Sequence, residues 1–347
     1  MAGKKVAIMG AGSIGTILGA RLTMGGVDVV LIDSFKEHVD ALNKNGATVV
    51  GGWEFNTPVK AITPDQMEGI YDYVFLICKQ TGTKTALEQL MPHLGPDSTV
   101  ITLQNGRPEV HVAEIIGEER TCGGIVLFPA TWEAPGVSRI TTPAEYNETA
   151  TVLEVGEIDG SITPRILEIQ EILSHMGHTA VTQSLMSTRW FKVCVNSTQS
   201  GISAVCGTNY GGIMDRQDAM KATAHVMNEA VRVAHASGAK DLEYLENWYF
   251  HDEYDATYIS KCMYDRWLSS APMKASMLQD LEKGKPCEID FINGEVSTAG
   301  KKLGIPTPYC DAFIAIIKAA QSRKTVWTPD EACAFLRPLL TLDGETF

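Results

Sequence analysis

In the first half of the chain, short apolar runs alternate with segments of helical period. Residues 6–9 (VAIM) are uninterruptedly hydrophobic, as in a strand buried on both faces. Residues 14–24 follow, with Ile14, Ile17, Leu18 and Leu22 on one helical face, then Gly25 and Gly26 as a stop, then a second apolar run at 27–32. Residues 36–45 read as a short helix, and 46–58, with Gly51 and Gly52, as small strands and turns. A buried strand is expected at 71–78, a helix at 83–91 broken by 92–96, and further strands at 99–103, 122–128 and 152–158. Thr163 and Pro164 have the form of an N-cap and first helical position, so a helix is predicted to about Met176, stopped by Gly177, with one more strand at 178–183. This alternation predicts a doubly wound α/β domain.

Beyond residue 184 the pattern changes to long helices with few strands. Residues 218–237 predict a helix ended by Gly238, Pro272 is expected to begin another that Gly284 and Pro286 break, and 293–302 and 309–321 are helical on either side of a turn at 304–308. The stretch 242–267 is rich in aromatics and acids (Trp248, Tyr249, Phe250, Tyr254, Tyr258, Tyr264, Trp267) and reads as core or lid packing. The tail from Thr325 reads as peripheral. The boundary near 184 separates a first domain, 1–184, from a helical second domain, 185–347, and would serve as the hinge of any ligand-driven closure.

The first strand, turn and helix carry chemistry. Gly10, Gly12 and Gly15 form G-x-G-x-x-G between a strand and a helix, and the next strand closes on Asp33. Gly10 permits a tight turn, Gly12 lets the backbone approach a pyrophosphate, and Gly15 lets the helix pack close to the strand. The helix N-terminus, with Ser13 and Ile14 in its first turn, then faces the phosphates. Asp33 stands where a carboxylate bonds both ribose hydroxyls of an adenosine. The order predicts an N-terminal Rossmann dinucleotide-binding domain followed by an all-helical C-terminal domain. A 2′-phosphate would meet the charge of Asp33, which favours NAD(H) over NADP(H), while Ser34 and Lys36 just beyond act the other way.

Ligands of open parallel sheets bind outside the carboxyl ends of strands. Lys79, Gln104 and Asn105 stand at such ends and are candidate cofactor or substrate contacts, against ordinary loop polarity or, for Asn105 before Gly106, a turn residue. In 184–206, Lys192, Asn196 and Ser200 are spaced i, i+4, i+8 and share a helix face among apolar neighbours. Lys192 either snorkels from a packed helix or faces a polar groove, and Gln199 and Ser203 beside the stripe favour the groove.

The 347 residues suffice for two domains with a large core. The formal net charge of -13 argues against a nucleic-acid surface or an anionic membrane partner, though not against a small anionic substrate. The eight cysteines form no CxxC pair and read as reduced and mostly buried; the histidines show no metal-binding spacing, so no metal is expected. No apolar run spans a bilayer and no signal peptide precedes the first strand, so a cytoplasmic location is expected.

The chain resembles the ketopantoate reductases, the 2-dehydropantoate 2-reductases of the pantothenate pathway, over about residues 4–320. The likeness rests on GAGSIG at 10–15, Cys78-Lys79-Gln80, Leu103-Gln104-Asn105-Gly106, and Trp190-Phe191-Lys192 with Asn196. It rests most strongly on Ser276-Met277-Leu278-Gln279-Asp280 with Lys283-Gly284, Glu288-Ile289-Asp290, Asn293-Gly294 and Gly304-Ile305-Pro306-Thr307-Pro308. The resemblance implies an active site in the cleft between two domains, where hydride from a nicotinamide reduces the ketone of a small 2-oxo acid. It implies Lys192 as the general acid and Glu288 as the active-site glutamate. It places Asn105 near nicotinamide and substrate, Asn196 at the substrate's hydroxyl, Ser276 at its carboxylate and Lys79 on the cofactor side.

Three positions depart from the family pattern. Ser200 stands where a second asparagine is common, at the substrate's far end. Asp33 replaces the basic or small residue usual in NADPH-using members, and the 242–267 stretch is longer and more aromatic. The readings that follow are a ketopantoate reductase, a related reductase of another branched 2-oxo acid or an imine, and a non-catalytic cofactor-binding protein. A homodimer is expected from the apolar helices of the second half.

Overall fold

In the computed structural model, the described residues are 3–240, 242 and 255–346. They divide into two compact units: residues 3–104 with 108–185, and residues 105–107 with 186–346.

The first unit is built on a sheet that has eight strands among the described residues, in the order β12-β11-β8-β7-β6-β1-β2-β5. Its elements run β1 (Val6–Met9), α1 (Ser13–Met24), β2 (Val29–Ile32), α2 (Lys36–Asn45), β3 (Ala47–Gly51), β4 (Phe55–Thr57), β5 (Lys60–Ile62), β6 (Tyr71–Leu76), α3 (Thr83–Leu90), β7 (Leu94–Thr102), α4 (Pro108–Ile116), β8 (Thr121–Val126), β9 (Ala130–Ala134), β10 (Val137–Ile140), α5 (Ala144–Thr149), β11 (Leu153–Glu157), α6 (Pro164–Leu173) and β12 (Thr179–Val181). From β5 to β8 the neighbours are parallel, with β1 between β2 and β6. The two last strands turn the sheet mixed: β11 lies antiparallel to β8, and β12 runs parallel to β11.

The strand order reverses at β1, whose two sides carry β2 and β6. Such a switch point opens a crevice above the strand ends. One core of the unit joins β1, α1, α2 and α6, and a second lies on the α3–α4 face of the sheet. The expected small strands at 46–58 are half of a second sheet, β4-β3-β10-β9, which packs over α1. Its partners β9 and β10 carried no clear alternation in the sequence. Ala47 and Val49 point inward from β3, and Arg21 of α1 lies 4.8 Å over the Trp53 ring. Thr163 caps α6 as read, its hydroxyl accepting from the N–H of Ile166.

The second unit is helical: α7 (Leu185–Cys206), α8 (Tyr210–Met214), α9 (Gln217–Ala236), α10 (Ala256–Trp267), α11 (Ser276–Glu282), α12 (Asn293–Leu303), α13 (Pro308–Arg323) and α14 (Pro329–Leu342). They enclose one core that includes Trp190, Ile202, Met227, Trp267 and Phe313. Two expectations change here. The tail is not peripheral: Thr328 and Glu331 make a reciprocal capping box, and α14 buries Leu336 and Leu340 in the core, roughly 2 kcal/mol of stabilisation each. The helix expected from Pro272 begins at Ser276 instead: Pro272 lies in a turn closed by Met273 N donating to Ser270 O at 2.8 Å, and Ala275 is extended as the cap. Of the aromatic stretch 242–267, Trp248, Tyr249, Phe250 and Tyr254 lie outside the described residues; Trp267 is buried, while Tyr258 and Tyr264 are exposed.

The eight cysteines are free thiols, six of them buried. No helix among the described residues is long and apolar enough to cross a membrane.

Candidate functional site

In the first unit, the glycine loop follows β1 directly. Gly10 N donates to Ile32 O at 2.8 Å, while Ile77 N and Cys78 N donate to Met9 O, so the chain leaves β1 tied to both neighbouring strands. That crowding explains two of the glycines. Gly10 has φ +105°, and a Cβ there would stand 2.4 Å from Cys78 N. A Cβ at Gly15 would stand 2.1 Å from the Gly10 carbonyl oxygen. Gly12 is different: it is exposed, and a Cβ there would meet nothing within 4 Å. Its bareness serves no contact of this chain, and it leaves the backbone open to an incoming group.

The N-terminus of α1 has no side-chain cap and no acid in its first turn. The first N–H groups, at Ser13, Ile14 and Gly15, therefore lack the usual partner from a capping side chain. An uncapped helix start beside a bare glycine is the donor set a pyrophosphate needs, so these residues fit a dinucleotide. Asp33 follows β2; its Oδ1 accepts from Phe35 N at 2.9 Å, which turns the chain and leaves Oδ2 outside that bond. Beyond it opens a hollow of about 620 Å³, lined by Ser34, Lys36, Asp40, Ile62, Thr63 and Asp65 among others. The Lys36 Nζ bonds Asp40 at 2.7 Å, one helical turn on.

Two of the strand-end candidates separate. Lys79 is exposed after β6. Gln104 is not a ligand contact: its amide is buried, donating to Cys78 O at 2.6 Å and Thr83 Oγ1 at 2.8 Å, and so braces the loops after β6 and β7.

In the second unit, Asn105 is half-buried and precedes Gly106, whose φ of +80° gives the segment its turn. Arg107 anchors that segment to α7: its guanidinium lies 4.5 Å over the ring of Trp190, and its Nη1 is 3.9 Å from Glu295. Two residues after Trp190 comes Lys192, half-buried on the same helix. Burial first, and then the Arg189 cation one turn earlier, push the Lys192 ammonium down to about 8 against the opposing Glu288 carboxylate. Glu288 is itself buried at the head of the short turn Ile289–Phe291. Arg189 went unread in the sequence, although its i, i+3 spacing to Lys192 put it on the same face.

Asn196 is half-buried and Ser200 buried along the same helix. The next turn carries Ser203, whose Oγ accepts from Ala275 N at 3.4 Å. That bond ties the start of α11 to α7 and places exposed Ser276 immediately after the tie. Asn293 completes the frame: fully buried, it donates to the Ser197 carbonyl at 3.0 Å, and a Cβ at Gly201 would press within 3.2 Å of it. The Asn-Gly of the sequence motif is thus a clamp on the lysine helix. The second unit gathers a softened ammonium, an acid, an amide and hydroxyls around one helix, a set able to deliver a proton and bind a small polar acid.

The family model for ketopantoate reductase PanE/ApbA matches residues 6–149, and the model for its C-terminal part matches residues 184–321. The 2-dehydropantoate 2-reductase of Pyrococcus horikoshii is 29% identical over 322 residues, covering 92% of this chain and 98% of its own. The crystal structure of a 2-dehydropantoate 2-reductase from Geobacter metallireducens is similar with a TM-score of 0.77 at 25% identity, over 91% of this chain and 99% of that one. A D-mandelate dehydrogenase with NADH and anilino(oxo)acetate shares the fold, with a TM-score of 0.76 at 24% identity over 92% and 99%. With both of its units matched by those two models, the chain belongs to the ketopantoate reductase PanE/ApbA family.

Proposed function

We propose that this protein reduces 2-dehydropantoate to pantoate with hydride from a nicotinamide dinucleotide, and that Lys192 is its general acid. The observation that carries the reading is the state of Lys192: an ammonium softened to about 8 by burial and by Arg189, yet held charged by Glu288. The bound nicotinamide supplies the hydride. As the ketone carbon is reduced, negative charge gathers on its oxygen, and a cation with a transferable proton lowers that barrier. Lys192 at its ordinary acidity would give up the proton reluctantly; shifted towards neutrality, it is matched to the task. Glu288 keeps it loaded. Asn196 receives the substrate's hydroxyl, Ser276 its carboxylate, Ser200 its far end, and Asn105 stands by nicotinamide and substrate.

Gly10, Gly12, Ser13, Ile14 and Gly15 hold the pyrophosphate, with Lys79 on the cofactor side. The preferred cofactor is NADH: the Asp33 carboxylate suits ribose hydroxyls and repels a 2′-phosphate. The ion pair of Lys36 with Asp40 supports the preference, because it engages a cation that follows Asp33 closely in the chain. The working form is a cytoplasmic homodimer. A second reading, a reductase of another branched 2-oxo acid or an imine, is favoured by Ser200, a small buried hydroxyl where a longer amide is common in the family.

Initial rates with ketopantoate, run with NADH and with NADPH, test the proposal. Fast turnover with NADH is expected, and Asp33→Asn should raise the NADPH-to-NADH ratio of kcat/KM by about tenfold, the effect of removing one repulsive charge. Turnover with NADPH alone overturns the cofactor preference. Failure with both, alongside turnover of another 2-oxo acid in a substrate panel, replaces the first reading by the second.

A further inference from the structure

A buried histidine of α2 reaches the glycine loop and belongs to no motif of the chain. His38 is 2% exposed. Its Nδ1 accepts from the Gly136 N–H at 2.9 Å, in the turn between β9 and β10. Accepting there requires Nδ1 to be bare, so the ring proton sits on Nε2. Nε2 lies 2.7 Å from the Ala11 carbonyl oxygen and donates to it. The same carbonyl accepts from Thr16 Oγ1 at 2.7 Å, and Thr16 Oγ1 stands 3.2 Å from Nε2. The Gly136 carbonyl is used as well, accepting from Thr48 N at 2.8 Å.

Ala11 is the residue between the first two glycines, so the orientation of its peptide sets the direction of the Gly12 N–H. A G-x-G loop has little side-chain mass to hold it. A Cβ at Gly12 would meet nothing, and Gly10, before it, is held by its N–H to Ile32 O and by its close approach to Cys78. Two donors converging on one carbonyl are what fixes the peptide plane, and one of them is itself aimed by a hairpin of the second sheet.

We infer that His38 is a positioning residue for dinucleotide binding: it locks the Ala11–Gly12 peptide in the orientation that presents backbone N–H groups to the pyrophosphate, and the small sheet acts on the cofactor through it. The inference rests on the reading of residues 10–15 as the pyrophosphate cradle. It assigns the small sheet a part in the site, where packing on α1 alone would have been its whole use.

The two imidazole nitrogens can be tested apart, since Gln places an amide nitrogen where Nε2 stands and Asn places an oxygen where Nδ1 stands. His38→Gln keeps the donor to Ala11 and gives up Gly136; His38→Asn keeps Gly136 and gives up Ala11. Kd for NADH, KM and kcat at saturating ketopantoate, and Tm are measured on both variants and the parent. His38→Asn should raise Kd and KM for NADH by about 3- to 10-fold, the scale of one lost hydrogen bond, with kcat at saturating NADH within twofold. His38→Gln should restore Kd to within twofold of the parent. A purely structural role lowers Tm in both variants and leaves Kd for NADH where it was, which overturns the inference. Equal weakening of Kd in both variants also overturns it, because the Ala11 bond would then not be the determinant. If the parent itself binds no NADH, the cradle reading falls first and takes this inference with it.

Discussion

At residues 10–15 the groups that would meet a ligand are backbone N–H groups; at 192–200 they are side chains on a helix packed into a core. The first surface needs residues that are absent in a sense, glycines whose missing Cβ atoms leave room for Cys78, for Gly10 and for a ligand in turn. The second needs residues that would be ordinary anywhere else. A lysine, an asparagine and a serine become a candidate site because Trp190, Val193 and Cys194 on the same helix are buried and Glu288 and Arg189 stand near. Backbone-built sites are therefore tolerant of side-chain chemistry and intolerant of volume, and side-chain-built sites the reverse.

The comparison breaks most sharply at Lys192. Lys192→Ala should lower kcat by about 10²- to 10⁴-fold, the range of a lost general acid, while Kd for NADH stays within twofold. A variant with near-full kcat removes Lys192 from the chemistry. A smaller but still large effect separates the glycines. Gly15→Ala forces a carbon against the Gly10 carbonyl and should cost about 3 kcal/mol in urea unfolding, whereas Gly12→Ala should leave stability within about 1 kcal/mol and raise KM for NADH by about tenfold. Equal loss of stability in both would mean that the loop is crowded throughout and Gly12 is not reserved for a ligand.

The mildest prediction concerns pH. Lys192 acts in its protonated form, so kcat/KM should fall as pH rises through about 8. Glu288 raises the pKa of that lysine against burial and Arg189, so Glu288→Gln should move the alkaline limb to lower pH by about one unit or less. Linkage gives the stability sign. The lysine's folded pKa lies below its unfolded value of 10.5, so the folded state releases its proton first, and this group's contribution to stability grows as pH rises from about 8 towards 10.5. An alkaline limb that ignores Glu288→Gln would show that another group titrates there.

The glycine loop, Asp33, the i, i+4, i+8 stripe and most elements are legible in the sequence, because each rests on local chemistry. Lys36–Asn45 and Gln217–Ala236 formed within a residue or so of expectation, since propensity, period and stop signals agreed at their ends. Elsewhere local signals misled. The tail after Thr325 has an exposed Phe335 and a proline inside its helix, and reads as peripheral although its buried face meets the core. Gln104 looked like a ligand contact because a polar residue at a strand end has the same spelling whether it faces solvent or braces two loops.

By itself, then, the sequence determined where the backbone must be bare, which helix carries the lysine and where the character of the chain changes. These depend on a residue's own volume, on helical period and on neighbours a few positions away. Only the tertiary structure decided that the Glu288 carboxylate acts on Lys192, that Arg107 binds the Asn105 turn to Trp190, and that His38 ties a hairpin 98 residues further along to the glycine loop. Those arrangements join residues far apart in the chain, and an acidity, a stacking or a tautomer exists only once burial has removed water and fixed the partner.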